Sequence, residues 1–199
     1  MPKAVFIDRD GVINQKPREG EYVTSWDDFH ILPGVAEAVT LLKRAGYAVI
    51  VVTNQRCVAK GLIAVSELEE MHARMRESLS RSGAMLDGIY YCPHDYESSC
   101  NCRKPAPGML LEAAQARGLD LRSSWMVGDS EIDIQAGKNA GCKTARVFGE
   151  DKKSPAGSND AGTANRAELT ASSLLDSAQQ ILKWDARQEM NLEKRTLTA

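Results

Sequence analysis

Short apolar runs alternate with longer amphipathic stretches along most of the chain. Ala4-Val-Phe-Ile7 and Ala48-Val-Ile-Val-Val52 are unbroken apolar runs, the pattern of strands buried on both faces. Gly88 to Tyr91, Trp125 to Val127 and Lys143 to Phe148 are predicted as three further strands. Between them lie stretches with helical spacing and helical punctuation. Val35 to Gly46 follows Pro33 and stops at its own glycine; Gly108 to Arg117 stops at Gly118, and Glu131 to Ala140 at Gly141. Ser66 to Ser82 is predicted as a helix opened by a capping box of Ser66 and Glu69. Leu174 to Trp184 is predicted as a closing amphipathic helix. The polar segment 149–163, rich in Gly, Ser and Asp, is expected to be a mobile loop, and 186–199 a frayed tail.

Strand and helix in alternation imply a parallel sheet covered on both faces. The expected fold is α/β, a Rossmann-like three-layer sandwich formed by one domain over residues 1–185. Such sheets bind ligands beyond the carboxyl ends of their strands. Asp8, Thr53 and Asp129 each stand just past a strand's carboxyl end.

Composition narrows the function. At 199 residues and 43% hydrophobic, the chain can bury one sizeable core. A net charge of -2 excludes a general attraction to nucleic acid or to an anionic membrane surface. No apolar run is long enough to cross a bilayer, and residues 1–10 lack a signal-peptide pattern. A cytoplasmic location is therefore expected, with the five cysteines as thiols or metal ligands rather than disulfides.

The candidate chemistry begins at Asp8-Arg-Asp-Gly11. Two carboxylates two residues apart can divide the work of phosphoryl transfer, Asp8 as nucleophile and Asp10 as proton donor and acceptor. Alone, so short a motif is equally a polar turn closing a strand. Gly128-Asp129 adds a second carboxylate at a strand end, and with Asp8 it offers the oxygen ligands that magnesium prefers. Alone, Asp129 reads as a helix cap. Asp133, one helical turn on, can face the same place as a supporting partner behind the metal's own ligands or through water. Thr53 and Asn54 can donate to a phosphoryl group; Lys104 can neutralise its charge, and Arg103 can fork onto a phosphate or sugar oxygen. It is the order of these weak signals at successive strand ends that carries the reading.

Cys92-Pro-His94 and Cys100-Asn-Cys102 form C-x-H-x5-C-x-C. Three thiols and an imidazole so closely spaced suit a closed, structural zinc site, which leaves no position open for chemistry. The alternative is free thiols or a disulfide. Such a zinc would fold a loop poor in apolar residues and fix Arg103 and Lys104, which follow it.

These residues carry a family resemblance. Asp8-Arg-Asp-Gly-Val-Ile-Asn14, Val52-Thr-Asn-Gln55, Gly88-Ile-Tyr-Tyr-Cys-Pro-His94, Cys100-Asn-Cys-Arg-Lys-Pro105 and Met126-Val-Gly-Asp129 resemble the haloacid-dehalogenase-like phosphatases. Within them, the chain is similar to the D-glycero-D-manno-heptose 1,7-bisphosphate 7-phosphatases. The resemblance implies a zinc loop, no large cap domain and an aspartyl-phosphate formed on Asp8. It implies magnesium held by Asp8, the carbonyl of Asp10, and Asp129. It makes Asp10 the acid and base, gives Thr53 and Lys104 to the phosphoryl group, and lines the substrate pocket with Tyr22, Asn54, Gln55, Arg56 and Arg103. The implied partner is a small phosphosugar and the implied state a monomer, with a product destined for surface polysaccharide.

Three features depart from the family pattern: Arg56-Cys57 stands where Ser-Gly is usual, Ser130 where some members have Lys, and the zinc loop is short, as in histidinol-phosphate phosphatases. They touch the distal end of the substrate and leave the exact sugar open, with a histidinol-phosphate phosphatase or another small phosphosugar phosphatase as alternatives; the alternative outside enzymes is an inactive zinc-stabilised binding module. Lys16, Arg18, Arg56 and Arg103 are expected to form a cationic cluster at the distal end of the substrate, with no carboxylate in 54–62 to offset them and only Glu19 and Glu21 near.

Overall fold

The structure is a computed structural model that describes residues 1–149 and 166–196. The expected mobile loop thus lies outside the described residues except for Gly149. Six strands, β1 (Lys3–Ile7), β2 (Tyr47–Asn54), β3 (Gly88–Cys92), β4 (Trp125–Gly128), β5 (Lys143–Val147) and β6 (Leu169–Ala171), form one sheet in the order β3-β2-β1-β4-β5-β6. Every neighbouring pair is parallel. The helices are α1 (Val35–Arg44), α2 (Val65–Arg81), α3 (Gly108–Arg117), α4 (Glu131–Ala140) and α5 (Leu174–Thr196).

Alternation along the strands divides the core into two layers. Val5, Ile7, Val49, Val51, Trp125 and Val127 face one way and pack with residues of α1, α2 and α5. Ala4, Phe6, Ile50, Val52 and Met126 face the other and pack with residues of α3 and α4. This is the three-layer sandwich expected, and among the described residues no separate cap domain covers the strand ends. β1 lies between β2 and β4, where the strand order reverses. That switch point is where open α/β sheets bind ligands, and it sets Asp8 there.

Three local expectations are corrected. α2 begins at Val65, and Glu67, not Glu69, turns back to accept from the Ala64 backbone N–H at 2.7 Å. Burial of Leu68, Met71, His72, Met75 and Leu79 sets the register of this helix, which leaves Glu69 free to accept from the Tyr91 hydroxyl at 2.9 Å. β6 was not anticipated, because its three residues are too few to show a period. α5 does not fray beyond residue 186 as expected but continues to Thr196. Its packed part is anchored at the amino end of the sheet: Asp185 receives Lys3 at 2.8 Å and the Tyr47 hydroxyl, and Trp184 meets Trp125 edge-on at 5.8 Å.

Candidate active site

Four chain segments meet beyond β1, β2 and β4. Asp8 follows β1 and is 8% exposed. Its Oδ1 accepts from Lys104 Nζ at 2.7 Å, and the same ammonium lies 2.6 Å from Asp133 Oδ1 and donates to the Val52 carbonyl at 2.9 Å. Lys104 is therefore a buried cation shared between two carboxylates. Burial pushes its pKa down, but Asp133 and Asp8 more than offset this and hold it above the ordinary value. Burial pushes Asp8 up to about 7; Lys104 works against that shift, while Asp133 and Asp10 add to it.

Asp129 and Asp133 are placed by the turn from β4 into α4. Ser130 caps α4, and its hydroxyl donates to Asp133 Oδ2 at 2.5 Å while its backbone N–H reaches the same oxygen at 3.1 Å. Asp133 thus joins the site through Lys104. Two glycines allow this crowding. A Cβ on Gly128 would stand 2.1 Å from that of Asp133, and one on Gly11, whose φ is +93°, would stand 2.6 Å from Asp129 Oδ2.

Asp10 sits in a cradle of donors. It accepts from Arg9 Nε at 3.2 Å and from Arg9 Nη2 at 3.0 Å on each oxygen, from Asn14 at 2.9 Å and from Gln55 at 3.0 Å. Burial raises its pKa, but Arg9 and then Asn14 and Gln55 outweigh burial, and the carboxyl titrates below its ordinary value. The Gln55 amide also donates to Thr53 Oγ1 at 2.8 Å, and its carbonyl receives the Cys57 thiol at 3.5 Å. Cys57, at one of the positions that depart from the family pattern, thereby orients the amide that links Thr53 to Asp10.

Ligand atoms of Asp8, Asp129 and Asp133 all lie within 4.8 Å of one another. An all-oxygen, anionic donor set suits a hard cation such as magnesium. The Lys16 ammonium, 2.5 Å from Asp129 Oδ2, takes up a cation-favouring position at this cluster.

The residues expected to line a substrate pocket divide into two groups. Asn54 and Gln55 turn inward. Asn54 clamps the Lys104 backbone, donating to its carbonyl and accepting from its N–H, both at 3.0 Å. Gln55 is 2% exposed and serves Asp10 and Thr53. Both are among the residues expected to line the substrate pocket; in the structure their side chains bond to Lys104, Asp10 and Thr53, contacts that sequence does not reveal because a residue at a strand end can point to either side of the loop. Tyr22, Arg56 and Arg103 stay at the rim. The guanidiniums of Arg56 and Arg103 stack on one ring, that of Tyr96, at 4.1 and 4.3 Å from its centroid. Two of the rim cations are paired with carboxylates other than Glu19 and Glu21: Arg56 with Asp95 at 2.6 Å and Lys16 with Asp129. Asp95 lies outside the stretch 54–62 and reaches Arg56 only through the fold. Tyr22 lies under Lys60 Nζ at 5.0 Å and lines, with Lys16, Arg18, Glu21 and His30, a cleft of about 410 Å³.

Cys92, His94, Cys100 and Cys102 converge, with ligand atoms within 4.8 Å of one another. The Cys92–Cys100 sulfurs are 3.7 Å apart, His94 Nδ1 is 3.5 Å from Cys92 Sγ and 3.2 Å from Cys102 Sγ. Metal–sulfur bonds of about 2.3 Å in a tetrahedron give sulfur–sulfur edges of about 3.8 Å, whereas a disulfide needs about 2.05 Å. The spacing fits a tetrahedral metal and not a bridge.

Arg9 and His72 were missed. Arg9 is 0% exposed although charged, and His72 lies 3.2 Å behind it. An arginine between two strand-end carboxylates was the available signal for the first; nothing in the sequence marked the second.

A buried lysine bridging two carboxylates at the switch point of a parallel sheet suits phosphoryl transfer, and comparison with known proteins places the chain among haloacid-dehalogenase-like hydrolases. A sequence model of the HAD-hydrolase-like family matches residues 101–177. The D-glycero-β-D-manno-heptose-1,7-bisphosphate 7-phosphatase of Photorhabdus laumondii is 45% identical over 140 residues, covering 67% of this chain and 73% of that protein. That of Pasteurella multocida is 40% identical over 168 residues, covering 78% and 90%. Among solved structures, the D,D-heptose 1,7-bisphosphate phosphatase of B. bronchiseptica, complexed with magnesium and phosphate, superposes with a TM-score of 0.78 at 36% identity, covering 91% of this chain and 98% of that one. The chain belongs to the D-glycero-β-D-manno-heptose-1,7-bisphosphate 7-phosphatase family of HAD-like phosphatases.

Proposed function

We propose that this protein hydrolyses the C7 phosphate of D-glycero-D-manno-heptose 1,7-bisphosphate through an aspartyl-phosphate on Asp8. The observation that carries the chemistry is the Asp8–Lys104–Asp133 bridge beside a separately cradled Asp10. The relatives' shared activity supports the substrate.

Asp8 attacks phosphorus while the bond from phosphorus to the sugar oxygen O7 breaks, and Asp10 delivers its proton to O7. Asp10 then takes a proton from water, whose oxygen attacks the aspartyl-phosphate, releasing phosphate and restoring Asp8. The donor cradle keeps Asp10 ionised at rest, which suits the second half. A phosphate dianion brought close favours the protonated form needed for the first. Lys104 neutralises charge on the phosphoryl group while holding Asp8 in place. Thr53 shares the same inner wall and contributes a hydroxyl. Asn54 and Gln55 act by holding Lys104 and Asp10. Magnesium, held by Asp8, the Asp10 carbonyl and Asp129, would spread the phosphoryl charge.

Zinc held by Cys92, His94, Cys100 and Cys102 would be structural, bracing the loop that carries Arg103 and leads into Lys104. Arg56 and Arg103 on Tyr96, with Tyr22 nearby, form the rim that meets the distal phosphate. We place the activity in the cytoplasm, as a monomer acting on a small phosphosugar; among the described residues no helix is long and apolar enough to cross a membrane.

The test is a comparison of kcat/KM for heptose 1,7-bisphosphate, fructose 1,6-bisphosphate, histidinol phosphate and a sugar monophosphate. The heptose bisphosphate is expected to lead. Preference for histidinol phosphate overturns the substrate, and no turnover of any phosphate ester, with magnesium present, overturns the enzyme.

A further inference from the structure

We infer that His72, on the buried face of α2, is a positioning residue for phosphoryl transfer: its imidazole keeps the Arg9 guanidinium forked onto Asp10. The inference rests on the reading of Asp10 as the proton donor and acceptor.

Arg9 is a fully buried cation with five N–H donors and no acceptor of its own. Nε and Nη2 are spent on Asp10. Nη1 has two neighbours, His72 Nε2 at 3.2 Å and the Met71 thioether at 3.9 Å. A thioether is a weak acceptor, so the imidazole is the one strong partner given to Nη1 among the described residues. A guanidinium does not give up its proton, so Nε2 must accept and the ring proton must sit on Nδ1. Burial, and then the charge on Arg9, push the His72 pKa down to about 3, and the ring stays in the neutral form that can accept.

The ring is itself braced. Tyr91 packs against it with centroids 5.5 Å apart and is tied to α2 through Glu69. On the other side, the Phe29 ring lies 5.6 Å from the Arg9 guanidinium. His72 touches no group that reacts, so its effect passes through Arg9. Without an acceptor at this point, Nη1 is buried unpaired and the guanidinium turns to find one, which loosens its fork on Asp10. Asp10 moves a proton and does not grip the ground-state phosphate, so the loss falls on kcat rather than KM. Misplacing a reacting group by about 1 Å can cost about 10²-fold.

The test uses two side chains of nearly equal volume that differ in the acceptor. His72→Met leaves Nη1 only a weak thioether; His72→Gln offers a carbonyl. His72→Met is expected to lower kcat about 10-fold or more with KM within about twofold of wild type, and His72→Gln to restore most of the loss. In an Asp10→Asn background, His72→Met should add nothing, since the residue it positions is already disabled. Should His72→Met fail to fold, His72→Asn, too short to reach Arg9, takes its place with the same expectation. The inference is overturned by a kcat within twofold of wild type in His72→Met, by a Gln variant as slow as it, or by the full additional loss on top of Asp10→Asn. Near wild-type turnover by Asp10→Asn alone would instead sink the role of Asp10, a result that cannot be confused with the other three.

Discussion

The carboxyl end of the sheet and the loop that follows β3 each draw several reactive side chains into a small space, and they do so by different means. Asp8, Asp129, Asp133 and Lys104 are set by strands and by a helix cap, and their polar atoms are matched by one another, by Ser130 and by the Val52 carbonyl. The cost of burying these charges is met by packing in the two core layers and by mutual pairing. Cys92, His94, Cys100 and Cys102 have no such frame. Only Cys92 belongs to a strand, and residues 95–101 offer almost nothing apolar to bury. A metal bonded to all four groups would hold such a loop together, and its binding and the loop's folding would then be one event. The first cluster is made by the fold; the second, with its metal, would help to make the fold.

That contrast can be broken at several points. Asp8→Asn is expected to abolish turnover, because an amide is no nucleophile for phosphorus, while thermal melting stays near wild type, since Lys104 keeps Asp133. Measurable steady-state phosphate release would remove Asp8 from its role. Asp10→Asn should cost about 10²–10⁴-fold in kcat, the usual worth of positioned acid–base catalysis, again with the fold intact; a drop below about threefold would give the work to water.

Cys100→Ser should act the other way round. Metal analysis of the purified protein is expected to find about one zinc per chain, from a closed four-ligand site, and the variant should lose it. The melting temperature should fall and kcat/KM with it, as Arg103 and Lys104 follow directly on the loop. Wild-type stability in a variant that has lost its zinc would show that the loop, like the carboxylate cluster, is held by the fold alone.

Smaller effects sharpen the picture at the rim. Arg103→Ala and Arg56→Ala should lower kcat/KM for a bisphosphate more than for a monophosphate. Loss of a charge-assisted hydrogen bond is worth roughly 1.5–3 kcal/mol, about 10- to 100-fold, and Arg56 should fall below that range because Asp95 already engages it. Equal losses on both substrates would mean that neither arginine meets a second phosphate.

The smallest effect concerns stability against pH. The folded pKa of His72, about 3, lies below its unfolded value of 6.5. Between these values the unfolded chain binds the extra proton, so stability is complete above about pH 6.5 and declines as pH falls toward 3. His72→Gln should flatten this slope by up to a few kcal/mol. Identical slopes for variant and wild type in denaturant titrations would show that the imidazole is not buried neutral.

Much of this was legible in the residues. The unbroken apolar runs ending at Ile7, Val52 and Val127 placed three polar positions at strand ends, and a parallel sheet can only bring those ends together. Hence Asp8, Thr53 and Asp129 fell at one place before any coordinates. The Cys/His spacing was legible for a related reason, since its four groups lie within a few residues of one another and need no long-range contact to meet. β6 and the start of α2 were not legible, because three residues show no period and a cap depends on where the preceding loop enters.

What the sequence by itself determined is the set of groups and their nearness: local hydrophobic periodicity builds the elements, and sheet topology puts the ends of β1, β2 and β4 side by side. What only the tertiary structure decided is which way each group points and what it meets. Asn54 and Gln55 bond to Lys104 and Asp10; Asp95, from the loop after β3, pairs with Arg56; and His72, from the inner face of α2, meets Arg9. Hydrogen bonds act over about 3 Å and depend on direction, so they are settled by packing between elements far apart in the chain, which no local pattern records.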